Sequence, residues 1–159
     1  MTNSGRVNLP LYFLFFKKSY NIRAMISLIR KISLPFAKLS IFAIYFWFGL
    51  LKVIGQSPAS EMVKALFEET VSKMIAGVSF EQFIIAFGIF EMLIGVMFLI
   101  GKFPKLAFVL LLVHIFTTAL PLFMTGDMVW TKTLIPMLEG QYIIKNLALL
   151  GLGFFIVSQ

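Results

Sequence analysis

The stretch from Phe83 to Ile100 is an apolar run of eighteen residues with a single charged residue, Glu91, near its middle. About that many apolar residues are needed for a helix to cross the hydrocarbon core of a bilayer. A carboxylate at such a depth costs roughly 2.5–3.5 kcal/mol on insertion scales, so it is rarely left without a partner. The remainder of the chain must therefore supply the group that Glu91 faces.

The composition is that of an integral membrane protein. Of the 159 residues, 60% are hydrophobic and only 13% are charged, which is outside the range of ordinary soluble domains. The chain has no cysteine, so it cannot supply disulfides, thiol chemistry or a thiolate-bound metal. A single histidine, His114, excludes a multi-histidine metal or haem site within one chain, and we predict no metal site.

The net charge of +7 is concentrated ahead of the first long apolar run. Such a basic stretch, with no acidic residue in it, is typical of a cytoplasmic segment that lies on anionic lipid headgroups. Nucleic-acid binding is the competing interpretation, and the membrane span that follows disfavours it. A cleaved signal peptide is a further alternative, but no small-residue cleavage site follows. The basic residues are Arg6, Lys17, Lys18, Arg23, Arg30, Lys31 and Lys38.

The pattern predicts an all-α fold, an integral membrane four-helix bundle. Residues 1–38 form a basic cytoplasmic or interfacial segment, and 39–159 form the membrane domain. Within the first segment, an amphipathic helix is expected from Tyr20 until Pro35 ends it. An external amphipathic helix runs from Val63 to Met74 between spans 1 and 2. Basic inner turns and acidic outer loops place both termini in the cytoplasm. The spans are expected at about 39–55, 83–100, 106–124 and 140–157.

Each predicted span contributes polar residues. Lys52 either snorkels to the interface or acts as the counter-ion of Glu91, and the sequence leaves both open. His114 acts as a proton relay or ligand, or is a neutral imidazole bonded to a backbone carbonyl. Gly88 and Gly95 share a helical face with Glu91, which allows a neighbouring helix to approach closely. The last span adds Gln141, Lys145 and Asn146 in its first two turns.

Counting about 1.5 Å per residue places Glu91 about 12 Å deep, and Lys145 and Lys52 about 5–8 Å deep on the same side. A carboxylate beside two lysines would suit an anionic or quinone-like headgroup. The same residues could instead only hold the helices together.

Two segments resemble the DoxX-like membrane proteins. The second span contains Gly88-Ile89-Phe90-Glu91-Met92-Leu93-Ile94-Gly95, and the first ends with Phe48-Gly49-Leu50-Leu51-Lys52. The start of the last span, Glu139-Gly140-Gln141-Tyr142-Ile143-Ile144-Lys145-Asn146, is similar to the YkgB branch of that group.

The resemblance implies a four-helix bacterial inner-membrane protein tied to a quinone-linked oxidoreductase or to oxidative stress. Any redox step would use a bound quinone or a partner subunit, since the chain has no cysteine. The site residues that the resemblance implies for this chain are Lys52, Glu91, Gln141, Lys145 and Asn146.

Three functional hypotheses follow. In the first, Glu91 and His114 handle protons in a redox-linked membrane component, and Lys52, Gln141, Lys145 and Asn146 bind a quinone headgroup. In the second, the charged core moves a solute or proton, as a homo-oligomer or with a partner subunit. In the third, the chain is an assembly subunit whose polar residues only hold helices together.

Overall fold

The computed structural model describes the backbone of residues 11–159 and the side chains of residues 22–159. The predictions that involve Arg6, Lys17 and Lys18 lie outside the described side chains. The helices and strands, in chain order, are α1 (Leu11–Val53), α2 (Ser60–Glu69), α3 (Val71–Met74), α4 (Phe80–Ile100), α5 (Pro104–Ala119), α6 (Pro121–Met124), α7 (Gly126–Val129), β1 (Trp130–Lys132), β2 (Ile135–Pro136) and α8 (Leu138–Val157).

Four helical segments of the described chain are long and apolar enough to cross a membrane. They are Ile22–Val53, Phe80–Ile100, Pro104–Met124 and Leu138–Val157. The predicted helical class and the number of helices able to cross a membrane are thereby confirmed, and both are compatible with a multi-pass membrane protein. The first segment begins at Ile22, whereas the sequence predicted a start near residue 39. The second, third and fourth segments begin two or three residues earlier than the sequence predicted.

The prediction that Pro35 ends a helix is wrong, because α1 continues through it. A proline inside a helix removes one backbone hydrogen bond and clashes with the preceding turn. Apolar helices that cross membranes tolerate this loss, since neighbouring groups and small local adjustments satisfy the freed carbonyl. The chain nevertheless divides close to this residue into two compact units, 1–36 and 37–159.

In the first unit, the described side chains are largely exposed. The apolar residues Met25 and Ile29 are 55% and 51% exposed, and the basic residues Arg23, Arg30 and Lys31 are exposed as well. The segment therefore presents both apolar and cationic groups on its surface.

The connection between the first two spans contains α2 and α3, which replace the single helix predicted over Val63 to Met74. Phe67 of α2 is buried, and its ring packs 5.8 Å from Phe80 and 5.2 Å from Phe83 of α4. On the exposed side, the Lys73 ammonium lies 2.7 Å from the Glu69 carboxylate. The hydrogen bond and the positive charge of Lys73 lower the pKa of Glu69.

The connection between the third and fourth spans contains a short hairpin that the sequence did not predict. Strands β1 and β2 pair antiparallel around Leu134, which has a positive φ of 62°. Val129, directly before β1, is fully buried. The indole of Trp130 is half-buried and donates to the carbonyl oxygen of Leu122 at 3.0 Å, so it ties the hairpin to α6.

The second unit is held by close approaches between antiparallel helices. On α1 and α4, a Cβ added to Gly88 would lie 2.6 Å from the carbonyl oxygen of Gly49. Nearer the other end, a Cβ on Gly95 would lie 3.2 Å from the carbonyl oxygen of Phe42. A Cβ on Gly153 of α8 would lie 2.7 Å from Leu111 of α5. Small residues at these crossings allow the backbones to approach, as is common between membrane helices.

The N-terminus of α4 carries the predicted capping box, which the structure confirms. The Ser79 hydroxyl accepts from the backbone N–H of Gln82, and the Gln82 side chain accepts from the backbone N–H of Ser79. Together these bonds satisfy two of the free donors at the helix start. The capping box therefore fixes the residue at which the helix that carries Glu91 begins.

Ser79→Ala is expected to lower the free energy of unfolding by about 1 kcal/mol, because it removes an N-cap acceptor. Thermal unfolding of the purified protein measures the change. Ser72→Ala is the control, because the Ser72 hydroxyl bonds to the carbonyl oxygen of Glu68 on an exposed surface. Equal effects of the two variants would contradict a specific contribution of the cap.

Candidate functional site

The partner of Glu91 is Lys52, which lies near the end of α1. The Lys52 ammonium is 2.9 Å from Oε1 and 2.7 Å from Oε2 of the carboxylate. Both residues are buried, with 6% and 5% of their surface exposed. Lys52 is thus the counter-ion and does not snorkel to the interface. The close crossing of α1 and α4 at Gly49 and Gly88 brings the two side chains together.

His114 of α5 extends this pair. Its Nε2 lies 2.8 Å from Oε1 of Glu91, and the residue as a whole is 5% exposed. Its Nδ1 lies 3.0 Å from the hydroxyl of Tyr45 on α1. The ring nitrogens therefore bond to side chains and not to a backbone carbonyl. The His114 carbonyl oxygen accepts bonds from the hydroxyls of Thr117 and Thr118.

These four side chains form one continuous polar network, which we define as Tyr45, His114, Glu91 and Lys52. We assign the Tyr45 hydroxyl as donor to Nδ1 and the Nε2–H of His114 as donor to Glu91. In that arrangement the imidazole is neutral, and the ammonium and carboxylate charges cancel. A net charge of zero gives a buried cluster its lowest free energy, because an uncompensated charge in an apolar interior is strongly unfavourable.

Aromatic rings cover one side of the network. Phe87 stacks on the His114 ring with centroids 5.2 Å apart and planes inclined by 19°. The Lys52 ammonium lies 5.7 Å from the centre of the same Phe87 ring, a distance at which a cation is attracted to the ring face. Phe90 lies 6.3 Å from His114. The rings exclude water from the polar groups and strengthen their electrostatic interactions.

The structure brings together three of the six site residues that the sequence predicted: Lys52, Glu91 and His114. The other three lie on α8, outside the network. Lys145 is exposed, and its ammonium lies 5.1 Å from the centre of the Tyr142 ring. Gln141 is also exposed and bonds to the carbonyl oxygen of Pro136 at 3.5 Å. Asn146 donates to the Thr118 hydroxyl at 3.4 Å.

Tyr45 is the network residue that sequence reasoning missed. It is 3% exposed and precedes Gly49 by four residues and Lys52 by seven. This spacing places all three on one face of a helix. The signal was therefore present in the sequence, but a tyrosine in an aromatic-rich span does not stand out from its apolar neighbours.

The buried polar side chains in the described part of the protein all have hydrogen-bond partners. No buried side-chain nitrogen or oxygen among the described residues lacks a hydrogen-bond partner. Over the same residues, no group of three or more histidine, cysteine, aspartate or glutamate side chains is placed to hold a metal ion. The network is therefore complete as a set of hydrogen bonds within the protein itself.

The residues do not form the headgroup site that was expected from two lysines beside Glu91. Lys52 directs its ammonium at both oxygens of Glu91, while Lys145 and Gln141 are exposed elsewhere. Every buried side-chain nitrogen and oxygen in the described region already has a hydrogen-bond partner within the protein. The described residues therefore do not form a quinone site within the network.

Comparisons of this chain with protein-family models, with curated proteins and with solved structures found no match. The resemblance to the DoxX-like proteins therefore rests on the sequence segments quoted above.

Tyr45→Phe is expected to leave Nδ1 of His114 as a buried acceptor without a donor, which costs about 1–3 kcal/mol of stability. Because His114 is the only histidine in the chain, 15N NMR of histidine-labelled protein reports on this nitrogen without ambiguity. The Nδ1 resonance should shift toward that of a free imine nitrogen. Tyr142→Phe is the control, since Tyr142 is 55% exposed. An unchanged Nδ1 resonance in Tyr45→Phe would contradict the assigned bond.

Proposed function

We propose that the protein is a DoxX-like membrane component of a quinone-linked oxidoreductase or oxidative-stress system, in which the polar network handles protons. The observation that supports this is the unbroken hydrogen-bonded chain from Tyr45 through His114 and Glu91 to Lys52. Ionisable residues inside a membrane are expensive and are commonly kept for function. Electron transfer to or from quinones is accompanied by proton transfer, and His and Glu are suited to this step.

The proposed role assigns a separate task to each network residue. His114 and Glu91 share a proton across the 2.8 Å contact between Nε2 and Oε1. Lys52 balances the charge of the carboxylate, and Tyr45 orients the imidazole through Nδ1. The quinone and the electron carrier belong, in this proposal, to the assembled system, with a partner subunit supplying their binding site.

The proposed setting is a bacterial inner membrane with both termini in the cytoplasm. The four spans form a helical bundle, and the N-terminal segment is a basic amphipathic helix on anionic lipids. The segment α2–α3 is the external amphipathic element. Exposed basic residues in the N-terminal segment and where α4 is followed by α5 support this orientation. They are Arg23, Arg30, Lys31, Lys102 and Lys105.

A second candidate is an assembly subunit in which the network only joins three helices. The observation that favours it is that every buried side-chain nitrogen and oxygen in the described part of the chain has a hydrogen-bond partner. Interhelical hydrogen bonds and ion pairs of this kind specify which helices meet.

The two candidates are separated by a paired variant that removes both charges of the network, Lys52→Met with Glu91→Gln. The protein is isolated in lipid nanodiscs without prior delipidation. Native mass spectrometry then identifies retained quinone and partner proteins, and thermal unfolding shows whether the fold persists. The redox proposal expects the wild type to retain a quinone or a redox partner. It also expects quinone reduction by that assembly to fall in the paired variant while the fold and assembly persist.

Other outcomes overturn the redox proposal. If neither protein carries a quinone or redox partner and the variant only unfolds more easily, the assembly role stands. If the wild type alone conducts protons across liposomes without any redox partner, the protein is a transporter. Glu68→Gln, an exposed carboxylate change on α2, is the matched control in each measurement.

A further inference from the structure

The two ends of the polar network are covered by different kinds of side chain. The spans have two ends. The α2 end is the one at which α2 packs, and the turn end is the opposite one, at the turn between α4 and α5. Helices α1 and α5 run toward the α2 end, whereas α4 runs away from it. Residues before Tyr45 and His114, and residues after Glu91, therefore lie toward the turn end.

Toward the turn end the network meets an apolar plug. Ile41, Ile94 and Leu111 are each 0% exposed and Phe98 is 1% exposed. They lie three to seven residues from the network residues on the same helices, so together they fill the core directly below it. A dense apolar core contains no groups that hold water. The plug itself offers no polar side chain through which protons or water could reach the network from this end.

On the side that faces the α2 end, a row of phenylalanine rings covers the network. Phe67 of α2 packs 5.2 Å from Phe83, and Phe83 stacks 5.8 Å from Phe87 with planes inclined by 11°. Phe87 in turn stacks on His114 and lies beside the Lys52 ammonium. Phe83 and Phe87 are half-buried, and Phe67 is 5% exposed. The row thus leads from an extramembrane helix directly to the network.

Turns at two glycines join the segment α2–α3, which contributes Phe67 to this row, to the neighbouring spans. Gly55 precedes α2 and Gly77 follows α3, with positive φ angles of 72° and 87°. Four charged residues of α2, Glu61, Lys64, Glu68 and Glu69, are exposed, while Phe67 is buried against α4. A short helix held by few buried contacts opens at a lower free energy than the core helices do.

We propose that Phe67, Phe83 and Phe87 form an aromatic gate through which the Tyr45–His114–Glu91–Lys52 network exchanges water and protons with the α2 end, and with that end alone. Movement of α2 withdraws Phe67, which frees Phe83 and Phe87 to turn aside and exposes His114 and Lys52. The inference goes beyond the redox role, since one-sided access is a property of the packing and holds whichever reaction uses the network.

The gate is tested by the reactivity of His114 toward diethyl pyrocarbonate, read at that residue by tandem mass spectrometry. The chain has no other histidine. Phe67→Ala should raise the modification rate about tenfold or more, because losing a buried aromatic ring favours the open population. Phe98→Ala is the matched control in the apolar plug, and Phe123→Ala, at an 84% exposed position, controls for the substitution itself. Phe67→Leu, which keeps an apolar side chain, provides a second variant if Phe67→Ala does not fold.

Sidedness is tested with single cysteines in sealed vesicles, since the natural chain contains none. Lys64→Cys and Lys102→Cys mark the α2 end and the turn end. Phe87→Cys should react with a membrane-impermeant thiosulfonate from the side on which Lys64→Cys reacts. Phe98→Cys should react from neither side.

The gate variant is Phe67→Ala, or Phe67→Leu if Phe67→Ala does not fold. The proposal is overturned if Phe98→Ala raises the reactivity of His114 as much as the gate variant does. It is also overturned if the gate variant leaves the reactivity of His114 unchanged. Reaction of Phe87→Cys from the turn end would also overturn it. These readouts need no redox partner, so they are independent of the outcome of the quinone experiment.

Discussion

Glu91→Leu is expected to lower the free energy of unfolding by about 3–5 kcal/mol, the cost of leaving one member of a buried ion pair without its partner. Lys52 would remain 6% exposed in an apolar core, and Nε2 of His114 would lose its acceptor. Unfolding of the purified protein in mild detergent, followed by circular dichroism against added dodecyl sulfate, measures the loss.

The double variant Lys52→Met with Glu91→Leu should recover part of this loss. Removing both charges leaves no uncompensated ion, and well-packed apolar replacements of buried pairs are often neutral or stabilising. We expect the double variant to be more stable than the sum of the two single changes by about 1–3 kcal/mol. Additive effects would show that the two side chains do not interact, contrary to their 2.7 Å contact.

Gly88→Ala is the second change with a large expected effect. Its Cβ would lie 2.6 Å from the carbonyl oxygen of Gly49 and 2.9 Å from the Cβ of Lys52. Backbone atoms cannot turn aside as a flexible side chain can, so α1 and α4 must separate. We expect a loss of about 1–3 kcal/mol, the usual cost of overpacking, although alanine is the better helix former. The same unfolding measurement in detergent reports it.

Gly151→Ala is the matched control for this change. It replaces a glycine in α8 where a Cβ would meet nothing within 4 Å. There the helix preference of alanine acts alone, and we expect a gain of about 0.5–1 kcal/mol. A similar loss in both variants would mean that the effect of Gly88→Ala is not caused by the crossing of α1 and α4.

The Gly88 and Glu91 predictions concern one structural unit. The close approach at Gly49 and Gly88 sets the distance between α1 and α4, and that distance allows the Lys52 ammonium to reach Glu91. Gly88→Ala should therefore also disturb the ion pair. In the folded fraction of this variant, the 15N resonances of His114 should shift, because Glu91 bonds to Nε2. The same resonances should be unchanged in Gly151→Ala.

The sequence alone determined the elements that depend on local chemistry. Hydrophobic runs long enough to cross a bilayer located the four spans, because the length of such a run is a property of consecutive residues. Ser79 and Gln82 predicted the start of α4, because a capping box involves residues three apart in the chain. The spacing of Gly88, Glu91 and Gly95 predicted a shared face, and all three are buried.

Only the tertiary structure decided which polar residues meet. By depth, Lys52 and Lys145 were equal candidates for the neighbourhood of Glu91, and the structure brings only Lys52 to it. Depth is set by distance along one helix, whereas contact also depends on the rotation of each helix about its axis and on which helices are neighbours. Those quantities arise from packing between distant parts of the chain, such as the helix crossing at which a Cβ added to Gly49 would lie 2.5 Å from the carbonyl oxygen of Gly88. For the same reason Tyr45 joined the site only once α1 and α5 were placed side by side.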